Sequence, residues 1–416
     1  MIFCNLSDKY RNLSLSLITL NMRSDKDNRD WQVFFGVPEA FEDMLTSRTD
    51  LFLPLAVFFG LLRNEPVDLS EMNVDPYFFR NALAAAKQHQ SWHSRLQLFP
   101  PEGVVMDDRR RISSEASACF YSGGVDSLFT LFRHTKGNSQ NVDAVIDQDL
   151  DYALHIFHSR GPISPSEIEI ELLVLNTGAQ IRDVVFVPVF SNVMTFDDDW
   201  KDAYGLVTHG VCLATVLHAL AGRIGRGLIG SSDTYGELIP WGSSPITDHL
   251  YSSSDLEVIH DGSTYTRVEK TKFISQSSEA LSLVNVCDRL EVEFGYLNCS
   301  ECQKCLRTMV TIDLAGKANA EDCPNFDWTN YSPEKLASVF LHDQGEALKV
   351  EEIVAASAGV REDIRLAGEK ALRQSKYLRP LANFEKALKS TAFGRKNHQA
   401  LKRIRRQVYR AIGVKH

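Results

Sequence analysis

From residue 116 onward, short continuous apolar runs alternate with stretches whose apolar residues recur every three or four positions. The runs 116–121, 143–147, 183–189, 227–230 and 256–259 read as strands, and 126–134, 165–175 and 209–224 as helices. Continuous apolar strands separated by helices imply βαβ units and a parallel sheet covered on both faces, so the expected fold class is α/β with a doubly wound parallel sheet. Residues 1–112 read as mostly helical and irregular, with 52–62 and 76–93 as the clearest helices. Pro100, Pro101, Glu102 and Gly103, followed by the polar run 107–114, read as a linker. After residue 322 the pattern is helical again. The stretch 396–412 sets Leu401, Ile404, Val408 and Ile412 on one stripe among basic residues. The expected division is an N-terminal, mostly helical region (1–112), an α/β domain (113–320) and a C-terminal helical region with a basic tail (321–416).

Composition changes this picture in three places. A chain of 416 residues is long enough for two or three folding units. The net charge of −9 gives no general affinity for nucleic acid, but from Lys370 to the end fourteen Lys and Arg face a single acid, Glu385. That split reads either as a packed terminal helix with a solvated basic face or as a platform for RNA phosphates. The longest apolar run, 51–62, is far short of the roughly 20 residues that span a bilayer, so no membrane association is expected. The opening residues include Asp8 and interleaved polar positions and lack a cleavage site, so a cytoplasmic location with reduced thiols is expected.

The segment Ser122-Gly123-Gly124-Val125-Asp126-Ser127 follows an apolar strand and opens a helix. Glycines let phosphate oxygens reach backbone N–H groups, and a helix N-terminus adds unpaired donors and partial positive charge. In a doubly wound sheet such a turn stands at the ligand-binding edge. It is not a Walker A loop, because the glycine–lysine pair is missing. Gly225, Gly227 and Gly230 match G-x-G-x-x-G, yet they follow a helix and lead into a strand, the reverse of the dinucleotide-binding context.

Eight cysteines are present; Cys4, Cys119, Cys212 and Cys323 are scattered, whereas Cys299, Cys302 and Cys305 form C-x-x-C-x-x-C with Cys287 upstream. In a reducing compartment this spacing favours metal binding over disulfides, with zinc ahead of an iron–sulfur cluster.

The Ser-Gly-Gly-Val-Asp-Ser turn resembles the signature of the PP-loop ATP pyrophosphatases, which include synthetases of GMP, NAD, asparagine and argininosuccinate and several tRNA-modifying enzymes. The resemblance implies ATP cleavage between the α and β phosphates, pyrophosphate held by Ser122, Gly123, Gly124 and Ser127, Tyr121 and Val125 also in the cofactor-binding turn, and Mg²⁺ held with help from Asp126. Within that superfamily the order of turn and cysteines is similar to 7-cyano-7-deazaguanine synthases, whose zinc site has one distant cysteine followed by C-x-x-C-x-x-C. By the same resemblance Lys270, in the segment 267–274, contacts phosphate, and Asp233, in the segment 230–235, binds the nucleotide. The likeness covers about 116–317. The Tyr-Pro-Asp-Cys-Arg substrate segment of those synthases is replaced here by residues 237–248, and 1–112 and the basic tail have no counterpart, so a changed substrate is expected.

Trp241, Asp248 and His260 fall after the last two strands, where an indole could stack on a ring, a carboxylate orient an amine or hydroxyl, and an imidazole do acid–base work. Each of the three also fits a packed loop. The expected function is an ATP-dependent ligase that adenylates a small-molecule carboxylate or carbonyl and forms a C–N bond, with a homodimer as the candidate assembly. The alternatives are a tRNA base-modifying enzyme served by the basic tail, and a non-catalytic nucleotide sensor or scaffold.

Overall fold

A computed structural model describes residues 1–7, 9–12, 14–107, 114–137, 145–157, 165–287 and 297–389. The described chain divides into two compact units: Met1–Ser122 with Asp126–Thr264, and Gly123–Val125 with Tyr265 onward. Neither 112/113 nor 320/321 is a boundary between these two units. The stretch 396–412 lies outside the described residues.

The first unit is built on one ten-stranded sheet. Its strands are β1 (Ile2–Leu6), β2 (Tyr10–Asn12), β3 (Leu15–Ser24), β4 (Arg29–Pro38) and β5 (Val67–Asp68), then β8 (Ser117–Phe120), β9 (Tyr152–Phe157), β10 (Val185–Ser191), β11 (Arg226–Gly230) and β12 (Glu257–Asp261). A separate pair joins β6 (Asn73–Val74) to β7 (Val105–Met106). The order is β12-β11-β8-β9-β10-β4-β3-β1-β5, with β2 on β3. The first five run parallel; β10–β4, β4–β3 and β3–β1 are antiparallel.

The antiparallel extension corrects the expectation of a mostly helical N-terminal region. Trp31, Val33, Phe35 and Val37 are buried at every second position of β4, the period of a strand with one covered face. The two helices expected there do form, as α1 (Leu53–Arg63) and α2 (Pro76–Trp92). Helix α1 is apolar all round and buried, as such a helix must be. It ends at Asn64 in the left-handed region, whose N–H returns to the Gly60 carbonyl. Asp75 caps α2 by accepting from Tyr77 N.

One apolar core runs from Ile2 through Phe58 and Val187 to Val258, which makes the N-terminal residues part of the sheet domain. A buried ionic network reinforces this. Arg48 donates to both oxygens of Asp50 at 2.8 and 2.7 Å, to Asp255 Oδ2 at 2.7 Å and to Ser253 Oγ at 3.0 Å.

Within the parallel half, α3 (Val125–Arg133), α4 (Pro165–Ile181), α5 (Asp198–Asp202) and α6 (His209–Ala219) are the helices. A Cβ placed on Gly227 would strike Leu217 of α6, whereas one on Gly230 would meet Asp126 and Thr130 of α3. Residues three apart on a strand face opposite ways, so α3 and α6 cover opposite faces of β11. The parallel strands follow the pattern 3-2-1-4-5 in chain order, and the order reverses between β8 and β11. The strand expected at 143–147 is instead β9: 143 and 144 lie outside the described residues, and 145–148 is bent. Gly225 leads into β11 as expected, but the helix before it ends at Ala219, short of the expected 224.

The second unit contains α7 (Arg267–Ile274), α8 (Ser278–Ser282), α9 (Gln303–Leu314), α10 (Gln344–Ser357) and α11 (Glu362–Lys389). Its core joins Val268, Leu306 and Val310 to Leu336, Val350, Ile353 and Ile364. No helix among the described residues is long and apolar enough to cross a membrane.

Two imidazoles are sealed inside the first unit. His89 is wholly buried between Phe58 and Trp92, and burial pushes its pKa down to about 4. His218 stacks on Phe78 at 4.1 Å, shares a 2.7 Å hydrogen bond with the Tyr251 carbonyl, and is pushed down to about 3 by burial and then by Arg48. With folded pKa values below the unfolded one, the unfolded chain binds these protons first, so stability is full at pH 7 and falls as pH drops from about 6.5 toward 4. With His209, which burial also pushes down to about 4, the three together give a slope of roughly 4 kcal/mol per pH unit. Urea melts at pH 7, 5.5 and 4.5 should show it, and His89→Leu should cut it by about a third; an unchanged slope in that variant contradicts the assignment.

Candidate functional site

Strand β8 ends at Phe120, and buried Tyr121 continues it by donating its N–H to the Leu154 carbonyl at 2.8 Å. The Tyr121 carbonyl accepts from His155 Nδ1 at 3.1 Å, and the other ring nitrogen of His155 stands 3.2 Å from Glu171. The chain then turns through Ser122-Gly123-Gly124 into α3. Gly123 has φ +76°, the left-handed region that only glycine enters at low cost. Its carbonyl accepts from Asn285 N at 2.8 Å, and a Cβ there would lie 3.1 Å from Asn285 Cβ and 3.2 Å from the Leu283 carbonyl. Exposed Ser122 donates its N–H to Ser127 Oγ at 3.2 Å, and the two hydroxyls are 3.4 Å apart. Two hydroxyls thus flank the first turn of a nine-residue helix, with Asp126 half-buried between them. This turn sits at the carboxyl end of β8, where the strand order reverses, the place at which open α/β sheets bind ligands.

Helix α3 is tied to β12 beneath the turn. Buried Asp261 accepts from Thr130 Oγ1 at 2.7 Å and Arg133 Nη1 at 3.0 Å, and lies 3.1 Å from His134 Nε2. Burial would raise its pKa, but His134, Arg133 and Thr130 outweigh that and hold it below the usual carboxylate range.

The other sequence-derived candidates separate into groups. Asp233 follows β11 in a tight turn in which Ser231 Oγ donates to the Asp233 carbonyl at 2.6 Å. On the opposite face of β12 from Asp261, His260 Nδ1 meets Asp248 Oδ2 at 2.7 Å. The Trp241 ring lies over Gly205. Lys270 is almost wholly buried on α7 of the second unit, a helix opened by a reciprocal capping box between Thr266 and Glu269.

Cys287, Cys299, Cys302 and Cys305 converge in the second unit, with all four sulfurs within 4.8 Å of one another. The Cys287–Cys302, Cys299–Cys305 and Cys302–Cys305 separations are 4.0, 3.8 and 3.4 Å. Four sulfurs around one tetrahedral zinc at roughly 2.3 Å stand roughly 3.8 Å apart, so the donor set fits a single zinc ion. Such spacing is too tight to enclose a four-iron cube. Without a cation the crowded thiols hold their protons: hydrogen bonding with Cys287 is the first cause that pushes Cys302 up to about 11 and raises Cys305 as well. Cys302 is also the N-cap of α9, so the cluster fixes where that helix starts.

Sequence reasoning missed Ser243, Ser244 and His209, which surround Asp248. Ser243 Oγ donates to Asp248 Oδ2 at 2.7 Å and Ser244 N to Oδ1 at 3.1 Å. The only sequence signal was the trio Gly205, Gly210 and Gly242, whose missing side chains let these segments cross. A groove of about 560 Å³ on β1, β3 and β4, lined by Asn5, Asn21, Arg23 and Gln32 among others, holds none of the candidate residues. No protein-family model, curated protein or solved structure matches this chain.

Proposed function

We propose that the chain is an ATP-dependent, AMP-forming synthase of the PP-loop type, acting on a small molecule with a carboxylate or carbonyl oxygen. The observation that carries this reading is the Ser122–Ser127 turn at the point where the strand order reverses. Its glycine backbone, two hydroxyls and helix N-terminus suit the β and γ phosphates of ATP. Oriented N–H donors stabilise charge as it develops on the departing pyrophosphate, which is where a rate gain must come from. Asp126 is the residue that would help hold Mg²⁺, which when bound supplies charge neutralisation on the phosphates. By the resemblance, Lys270 would contact phosphate. The four cysteines would hold zinc as a closed structural centre.

In the proposed reaction a substrate oxygen attacks the α-phosphorus, the bond to the β-phosphate oxygen breaks, and pyrophosphate leaves with the electron pair. An amine then displaces AMP from the adenylate to give a C–N bond. The altered segment 237–248 is where the substrate would differ from that of the 7-cyano-7-deazaguanine synthases.

The test is full-length protein with Mg-ATP and a cell metabolite extract, read by ³¹P NMR and mass spectrometry. AMP and pyrophosphate in equal amounts, with a new product mass, are expected. ADP with inorganic phosphate, or ATP left intact, overturns the reading.

A further inference from the structure

The long connection from β11 to β12 crosses the segment ahead of α6 at three glycines. Gly242 N donates to the Gly205 carbonyl and Gly210 N to the Gly242 carbonyl, both at 2.8 Å. A Cβ on Gly210 would stand 2.6 Å from Asp248 Oδ1, one on Gly242 2.8 Å from His209 N, and one on Gly205 2.8 Å from the Trp241 ring. Residues Tyr204–Thr208 form a single π-helical turn, a local irregularity found often at functional sites. The crossing presses a carboxylate into the protein that has no access to water: Asp248 is 0% exposed.

Three donors satisfy that carboxylate, namely Ser243 Oγ, Ser244 N and His260 Nδ1. A carboxylate only accepts, so the proton of a neutral His260 is on Nδ1 and the lone pair on Nε2. Nε2 makes no hydrogen bond among the described residues. The side chain is only 6% exposed, so the ring is locked. A buried acceptor that fixes the tautomer of an imidazole with its far nitrogen unengaged is the arrangement by which a carboxylate prepares a base.

We propose that His260 Nε2 is the proton acceptor for an amine nucleophile, with Asp248 as its positioning residue; this rests on the adenylating function above. The titratable groups near His260 are Asp248 on the 3₁₀ turn Asp248–Tyr251 and His209 at the start of α6, with Tyr251 behind Asp248. Burial pushes His209 down to about 4 and raises Tyr251, so both are neutral at pH 7. Asp261 faces the other side of β12, where Arg133, His134 and Thr130 hold it. The niche therefore carries the single negative charge of Asp248, which favours an alkylammonium or ammonium ion over an anionic nucleophile. The ammonium gives one proton to Nε2 and its freed lone pair attacks the adenylated carbon. The C–O bond to AMP breaks, AMP leaves with that electron pair, and the second N–H proton goes to solvent.

The test compares wild type, His260→Gln and Asp248→Asn as full-length proteins with Mg-ATP and metabolite extract, with and without added hydroxylamine. Hydroxylamine is largely unprotonated at neutral pH and needs no base. His260→Gln should lose C–N product formation about 100-fold at pH 7 while hydroxamate formation stays within about threefold of wild type, a gap of the size general-base removal gives. Asp248→Asn should lose about tenfold or more and become active again as pH rises and the free amine accumulates. Equal product from His260→Gln and wild type overturns the base assignment, as does an equal loss with both nucleophiles, which marks a merely structural residue. Absence of AMP from wild type is a different result: it removes the adenylating function itself.

Discussion

Stripping the metal from the four-cysteine centre should unfold the start of α9 and cost the second unit much of its stability. Structural zinc contributes on the order of 10 kcal/mol to zinc-finger peptides that have little else to hold them. The second unit also has an apolar core of its own, built from Val268, Leu306, Val310 and the helices of residues 344–389. The loss here is therefore set lower, at roughly 5 kcal/mol, still large against the usual total for a domain. Cys302→Ser is the most damaging single change, because Cys302 is both a sulfur of the centre and the N-cap of α9. Elemental analysis should find one zinc per chain in wild type and almost none in Cys302→Ser. Thermal melts with a strong chelator should reproduce the variant's loss. Iron with a visible absorption band would replace zinc by a cluster, and a melt unmoved by chelation with no metal in the chain would sink the centre altogether.

The parts that could be read in advance are those whose information is local. Strands β8, β10 and β11 centre on apolar runs, because a parallel strand inside the sheet is covered on both faces, whereas the edge strand β12 is apolar only at Val258 and Ile259. Strand β9 was placed too early because Asp147, Asp149 and Asp151 precede it and His155 interrupts it; that histidine is used to hold the Tyr121 carbonyl. The antiparallel extension was missed for a related reason. Strand β3 buries Ser16, Thr19 and Ser24 beside its apolar residues, so its alternation is blurred, although that of its partner β4 is clear. The boundary expected at 112/113 followed a change of pattern, but a pattern does not show that Leu20, Phe35 and Phe58 share one core with Val187 and Val258.

The site divides in the same way. The glycine turn is one contiguous segment, and the convergence of the four cysteines was legible from their spacing. Asp248 and His260 were each visible as candidates, but their 2.7 Å contact comes from a loop folding back over three glycines, which no window of sequence contains. Their neighbours Ser243 and His209 carry no pattern and appear only once that loop is in place.

At the Ser122–Ser127 turn, two substitutions should separate the proposed chemistry from folding. Asp126→Asn keeps the shape of a half-buried side chain in the first turn of α3 and removes its charge. Favourable interaction of that charge with the helix N-terminus is worth about 0.3–1 kcal/mol, so the melt should move only slightly. If Asp126 helps hold the cation on the phosphates, AMP formation should fall by about 1,000-fold, some 4 kcal/mol of transition-state stabilisation. Gly123→Ala acts through the backbone. It forces a side chain into the left-handed region at φ +76° and against Asn285 and the Leu283 carbonyl. That costs about 1–3 kcal/mol in the fold and shifts the N–H groups that would meet the phosphates. Both variants should lose pyrophosphate release, but only Gly123→Ala should also melt early. An Asp126→Asn protein that releases pyrophosphate at the wild-type rate would show that the turn does not serve ATP cleavage, however well its glycines fit the backbone.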